Sequence, residues 1–457
     1  MSVRPADARL YRFEKVGLAI FALLVLSYGV MTEIRSCFLK FRHTDFGMLA
    51  RAGWAVRTGD DIYRVTDDGG LHYTYPSAFS VVMTPLADPP AGADRAGYLP
   101  YAVSVAVFYL LSVGFVAWAV HALARAVLPD AVRGSRRWWY ARTVPVYVCL
   151  GGIGFSLGRG QVTLLLVALI AVAFLAAVRG RRVVSGAWLG AAAVIKVLPA
   201  FLLLFPFVRR DWRAGVGVAA AAVVGLGVLP AAVWGVDGAL AQHAFFVRNV
   251  LQAGATGSGG EQRFAHELTK TTATDSQSFQ AAIHHVLYLD REKADRPAHA
   301  SANTRLAHWA ISGVLTAITL LAARRRLGPA PADQLVFLGC LCGLMMVVTP
   351  VSHMHYYALV LPLVAGLWLR SLADRPEAVW ADARTTTALA VWGIMTALPL
   401  FPGPVFVIIR ECGFGAAATV GLWAFGLWTL GRPAGIAVGG DPIPFPTRTT
   451  NATRRAA

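Results

Sequence analysis

Apolar and polar residues are laid along this chain in long blocks. Twelve apolar blocks lie at about 16–34, 98–127, 143–157, 161–178, 183–195, 198–208, 214–235, 306–323, 333–349, 355–372, 385–400 and 404–430. Short polar turns separate most of them, and two long polar stretches occupy 35–97 and 236–305. A helix needs roughly 20 apolar residues to cross the hydrocarbon core of a bilayer. The pattern therefore predicts an all-α polytopic membrane protein with about 12 transmembrane helices. The blocks at 183–195 and 198–208 are too short to cross straight and alone, so they are expected to tilt or to form a broken pair around "IKVLP". In the first polar stretch, "FGMLARAGWAV" sets Phe46, Leu49, Gly53 and Trp54 at helical spacing and predicts a juxtamembrane helix. In the second, "TTATDSQSFQAAIHHVLYL" predicts another, with Asp275 or Ser276 as N-cap and an apolar face of Phe279, Ile283 and Val286.

Composition supports the membrane reading. Of 457 residues 56% are hydrophobic and only 15% charged, and mean hydropathy is +0.55. A soluble chain of this length would need more polar surface. The net charge of +17 raises the question of nucleic acid, but basic and aromatic residues do not interleave as a nucleic-acid surface requires, so no such partner is expected. The cations instead mark alternate turns: Arg4, Arg9, Arg12 and Lys15, then "VRGSRRWWYAR", "RGRR", "RRDWR" and "RRR". The positive-inside rule puts these turns and both termini in the cytoplasm. Residues 1–15 are then a cytoplasmic N-terminus, 16–430 the membrane domain, and 431–457 a disordered cytoplasmic tail. The long stretches 35–97 and 236–305 face outward, together with "GRGQ", "IKVLP" and "TPVSHMHYY". The first apolar block lacks an A-x-A cleavage signature and is expected to be retained in a multi-pass plasma-membrane protein. Five cysteines are scattered, mostly inside apolar blocks, and read as packing residues.

The polar residues that stand out all fall on this outer side. Asp45, about ten residues beyond the first block, has the chemistry of a general base near a membrane face; as a loop acid or N-cap, with Thr44 as rival cap, it would need no such role. Asp60, Asp61, Asp67 and Asp68 sit among glycines and read as solvated turn acids. Pro76 holds Tyr75 extended, either as an aromatic floor for a sugar or as an interfacial anchor. Arg159 in "GRGQ", beside Gln161, can pair bidentately with phosphate or simply snorkel. Lys196 is a charge inside an otherwise apolar stretch, which makes it a functional candidate by default. His353 and His355 flank Met354; no third ligand stands at metal spacing, so hydrogen bonding to an anion or sugar is the stronger reading, and no cofactor or metal is assigned.

The order of these motifs resembles glycosyltransferase family 87. An outer-loop Asp is followed by "TGDDIY", "YTYPS", "GRGQ", "SGAWLGAAAVIKVLP", "DSQSF" and "TPVSHMHYY", from about residue 40 to 370. The resemblance implies a GT-C fold and transfer of a hexose, most naturally mannose, from a polyprenyl-phosphate donor to a lipid or glycan acceptor, with inversion. It puts Asp45 at the position of the base. Arg159, Gln161, Lys196, His353, His355 and Tyr75 become candidates for holding the donor's phosphate and sugar. The chain has Tyr75-Pro76-Ser77 where the family usually shows "YPP", Gln161-Val162-Thr163 where "GQxN" is frequent, and Asp275-Ser276-Gln277-Ser278 where "NQS" is frequent. The competing class is a transporter or lipid flippase with a midplane site around Lys196.

Overall fold

The computed structural model describes residues 12–39, 44–256, 261, 264 and 276–430. Arg4, Arg9, Asp275 and the 431–457 segment lie outside them. Most of the described residues are helical. The first eight are α1 (Arg12–Glu33), α2 (Phe46–Thr58), α3 (Ser77–Val82), α4 (Tyr101–Val127), α5 (Arg136–Val148), α6 (Leu150–Arg159), α7 (Thr163–Val178) and α8 (Arg182–Ile195). Then come α9 (Leu204–Val208), α10 (Trp212–Ala222), α11 (Leu229–Phe246), α12 (Gln252–Thr256) and α13 (Phe279–Leu287). The last six are α14 (Ala302–Arg326), α15 (Pro331–Val348), α16 (Leu361–Ala373), α17 (Ala383–Ala397), α18 (Pro404–Glu411) and α19 (Phe414–Leu430).

Helix is found at every predicted apolar block, but the segmentation differs. Among the described residues six helical runs are long and apolar enough to cross a membrane, or seven if a pair bent by 119° near residue 400 is counted as one span. Four more apolar helices are shorter, at Thr163–Val178, Arg182–Ile195, Leu198–Val208 and Phe414–Leu430. The predicted 404–430 block is divided, because Cys412 and Gly413 end one helix and Phe414 begins the next. The predicted 214–235 block instead continues into a 45-residue helical run, Trp212–Thr256, kinked at Gly235. The second polar stretch therefore begins as helix.

Burial separates lipid-facing helices from central ones. In the most apolar window of Glu14–Phe38 only 6% of residues are buried, whereas in Pro331–Val348 the figure is 94%. A helix apolar all round and enclosed on every side is a core helix, and Pro331–Val348 packs on Leu361–Ala373 and Phe414–Leu430 around it. Helices α8 and α10 approach so closely that a Cβ on Gly186 would strike the Ala214 carbonyl. Small residues at such crossings are how membrane helices gain van der Waals contact.

Several helix starts are written locally. Ser135, Ser301 and Asp382 each accept a hydrogen bond from a backbone N–H three residues on, as N-caps do. The chain direction then sorts the ends of the bundle. Gln161 precedes α7 and Lys196 follows α8, so the intervening "RGRR" turn lies at the far end. Likewise Thr349 follows α15, while Arg324–Arg326 lie at the other end of the hairpin that α15 completes. Arginine-rich turns and candidate site residues occupy opposite ends.

Candidate active site

The juxtamembrane helix expected behind the first span is α2, and Asp45 stands at its N-cap position without capping it. Thr44 does not cap it either: its hydroxyl is buried and accepts a hydrogen bond from Ser36 at 3.1 Å. The Asp45 N–H donates to the Arg159 carbonyl at 2.7 Å. Its carboxylate accepts from the Gln161 side-chain amide, and the Arg159 Nε lies 3.9 Å from Oδ2. The acid is thus turned inward to the "GRGQ" turn, only 15% exposed, and is not a solvated loop acid. Gly160 makes that approach possible: its φ is +66°, and an added Cβ would sit 2.7 Å from the Phe46 Cβ.

The base of α2 is tied down by Arg51, which is buried. Its Nε donates to the Asp88 carbonyl at 3.0 Å, Nη1 to the Thr66 carbonyl at 3.0 Å, and Nη2 to the Asp68 carboxylate at 2.8 Å. Asp68 is therefore a paired acid, not a free turn acid. Asp67 departs further from expectation. It is buried, and its Oδ1 accepts from the Gly69 and Leu71 N–H groups at 2.9 and 2.8 Å. Burial raises its pKa, opposed by those two backbone donors and reinforced by Asp45 and Asp68. Sequence reasoning missed this because an Asx turn reads the same whether its outer face meets water or α2.

Tyr75 is buried, so it is not an interfacial anchor. Tyr63 Oη donates to the Tyr75 carbonyl and Tyr73 Oη to the Pro76 carbonyl, both at 2.9 Å, which fixes the "YTYPS" turn. The Tyr75 hydroxyl donates to Gln161 Oε1 at 2.9 Å and accepts from Lys196 Nζ at 3.2 Å. Burial, then Tyr356 and Asp45, push this phenol well above its ordinary pKa, so it stays a neutral donor. Lys196 leaves α8 in extended backbone geometry. Its Nζ lies 4.6 Å from the ring centres of both Tyr75 and Tyr356, a cation held between two π faces.

His353 and His355 stack, with ring centres 5.6 Å apart at an interplanar angle of 22°. Extended backbone at His353 aligns them, where helical backbone would splay them. The Ser156 hydroxyl of α6 donates to the His355 carbonyl at 2.9 Å. The Ser276–Gln277 part of "DSQSF" lies against this segment. Ser276 pairs with His353 in an isolated antiparallel bridge, Gln277 N donates to the Ser352 carbonyl at 2.6 Å, and Tyr357 Oη donates to Gln277 Oε1 at 2.7 Å. The helix that follows is capped by Ser278, not by Ser276. Its buried face is Gln280, Ala281, His284 and His285, and Val286 is exposed, because the inward side meets polar groups such as Arg296 and the Pro297 carbonyl.

One cavity of about 500 Å³ is lined by Asp45, Tyr75, Arg159, Gln161, Lys196, His353 and His355 together. His72, Tyr356 and Trp309 also line it and were not foreseen. Tyr356 follows His355 directly, and His72 precedes "YTYPS", so adjacency to a motif was the available signal. Among the described residues Asp45 is the single acid in the lining, against Arg159 and Lys196. Such a lining can bind an anion while leaving a carboxylate for proton transfer. Among the described residues no group of three or more His, Cys, Asp or Glu could hold a metal ion.

A polyprenol-phosphate-mannose-dependent alpha-(1-2)-phosphatidylinositol mannoside mannosyltransferase of Mycolicibacterium smegmatis is 28% identical over 64% of this chain and 60% of its own length. The protein of the same description from Mycobacterium tuberculosis is 26% identical over 72% of this chain and 69% of its own. Against a crystal structure of ArnT from Cupriavidus metallidurans bound to undecaprenyl phosphate, 92% of this chain and 78% of that one superpose at 14% identity and a TM-score of 0.39. The profile of glycosyltransferase family 87 matches residues 73–350, more than half the chain, and the chain belongs to that family.

Proposed function

We propose that this chain is a membrane glycosyltransferase that moves a hexose, mannose by analogy with its relatives, from a polyprenyl-phosphate donor to a lipid or glycan acceptor on the extracytoplasmic face. The observation that carries this reading is the convergence of Asp45, Arg159, Lys196 and the two histidines on one cavity. The two relatives act on phosphatidylinositol mannoside by their descriptions, which makes a mannosylated glycolipid the first acceptor to try. Asp45 accepts the proton of an acceptor hydroxyl. That oxygen forms a bond to the anomeric carbon as the carbon–oxygen bond to phosphate breaks on the opposite side. The configuration inverts, and the electron pair leaves with polyprenyl phosphate. The leaving group needs its growing negative charge neutralised rather than a proton, and preorganised cations in a water-poor site do this most effectively. Lys196 and Arg159 supply the charge; His353 and His355 supply hydrogen bonds. Cytoplasmic termini and a plasma-membrane location complete the reading, supported by the separation of arginine-rich turns from the site.

The test is transfer of label from a radiolabelled polyprenyl-phosphate mannose into a membrane glycolipid by the purified full chain. Asp45→Asn keeps the shape and removes the base, so turnover is expected to fall about 10²–10⁴-fold with unchanged expression and melting temperature. Full activity of Asp45→Asn, or solute movement into liposomes without sugar transfer, would overturn the reading and favour a transporter.

A further inference from the structure

A second cavity, of about 280 Å³, lies between α1, α4, α5 and α6 and takes no part in the proposed chemistry. Its walls are almost wholly apolar, including Phe21, Val25, Val113, Val120 and Ile153. At one end stands Arg142, 9% exposed. Its Nε donates to His121 Nδ1 at 3.2 Å, Nη1 donates to the Trp138 carbonyl at 2.8 Å, and the guanidinium lies 4.0 Å from the Trp138 ring centre. All three partners are uncharged or aromatic. Among the described residues no acid lines the cavity and no carboxylate pairs with Arg142. A guanidinium sequestered from water without a counter-charge is a costly arrangement, and here it faces an apolar trough.

We propose that this trough binds one anionic phospholipid, its phosphate against Arg142 and an acyl chain along α1 and α4. A phosphodiester matches both needs, a negative charge and two oxygens for a planar guanidinium, and the acyl chain covers the apolar walls. The arginine stands at the end of α5–α6 that lies away from Asp45. A lipid with its phosphate there enters from the opposite leaflet to the sugar-transfer site. A prenyl chain whose phosphate sat beside Asp45 would leave Arg142 uncompensated. The inference does not depend on the sugar-transfer reading.

The experiment is native mass spectrometry of the purified, delipidated full chain after exposure to vesicles of phosphatidylglycerol and phosphatidylcholine in equal parts. One phosphatidylglycerol is expected to stay bound, with phosphatidylcholine lost. Arg142→Gln should weaken retention about tenfold, the scale of one charge-assisted contact. Ala117→Trp, at an exposed position on the wall, keeps Arg142 but fills the trough, and should weaken it similarly; it decides the matter if the arginine variant does not fold. A photoreactive acyl chain on phosphatidylglycerol should label peptides of α4–α6. Equal retention of the two lipids, undiminished retention in the variants, or labelling of the same wall by a photoreactive polyprenyl phosphate would each overturn the proposal.

Discussion

The amide of Gln161 has two ends, and both are engaged. Lys196 donates to the Tyr75 hydroxyl, which must then donate onward to Gln161 Oε1, leaving Nε2 to face Asp45. The direction of each hydrogen bond is set by the ammonium at the start of the chain, because an ammonium has no acceptor. We expect Gln161→Ala to lower kcat about tenfold to a hundredfold with little change in KM, through loss of Asp45 orientation. Gln161→Glu should act differently: a carboxylate beside Asp45 disfavours its charged form, so the acid limb of the kcat/KM profile should move to higher pH. A profile that keeps its shape in Gln161→Glu would show that the amide does not contact the base in solution. Asp67 offers a stability test. Its pKa is raised in the folded chain, so the native state holds this proton more tightly than the unfolded state. Its contribution to stability is present below the unfolded value of about 3.8 and is lost as pH rises through the folded value. Asp67→Asn keeps an acceptor for Gly69 and Leu71. It should raise the melting temperature at pH 7, with the gain shrinking toward pH 4; a gain independent of pH would contradict the assignment.

At the scale of elements, the site depends on how closely helices approach. Lys196 reaches the cavity because it ends α8, and α8 is placed by its contact with α10 at Gly186. Gly186→Leu forces those backbones apart. Overpacking of this kind costs about 1–3 kcal/mol, and the shift should also draw Lys196 away from Tyr75. A lowered melting temperature together with a lower kcat is the expected result; a stable, fully active Gly186→Leu would mean that the two helices separate without moving the ammonium. The "GRGQ" turn works by the same logic, since Gly160 lets α2 begin against the end of α6. The amphipathic reading of Phe46, Leu49, Gly53 and Trp54 identified α2 as a helix. It could not identify what the helix start would face.

At the scale of the whole molecule, the consequence of alternating cationic turns is sidedness. Arg64 sits in the first polar stretch with its side chain 60% exposed, and Arg325 belongs to the "RRR" turn. A cysteine replacing Arg64 should react with a membrane-impermeant maleimide in intact cells, and one replacing Arg325 only after permeabilisation. None of the five native cysteines forms a disulfide among the described residues, so the comparison needs a background in which they are replaced by serine or alanine. Reaction of both sites from the same side would remove the extracytoplasmic site. These labels bear on the membrane face to which the cavity opens.

Block hydropathy by itself determined that the chain is helical and built for a bilayer, because the cost of burying bare peptide groups in hydrocarbon leaves little alternative. Residue type and order were enough to nominate Asp45, Tyr75, Arg159, Gln161, Lys196, His353 and His355. Their encounter was decided by tertiary structure. Gln161 lies 116 residues from Asp45, and Lys196 lies 121 from Tyr75, and no local propensity reaches so far. The same holds for Asp67, for the Ser278 cap, and for the division of the 404–430 block. Each turns on what packs against a segment, which hydrophobic periodicity does not encode. Arg142 is the clearest case: its cationic turn can be read from the sequence, while its burial against His121 without an acid exists only once α4 and α5 meet.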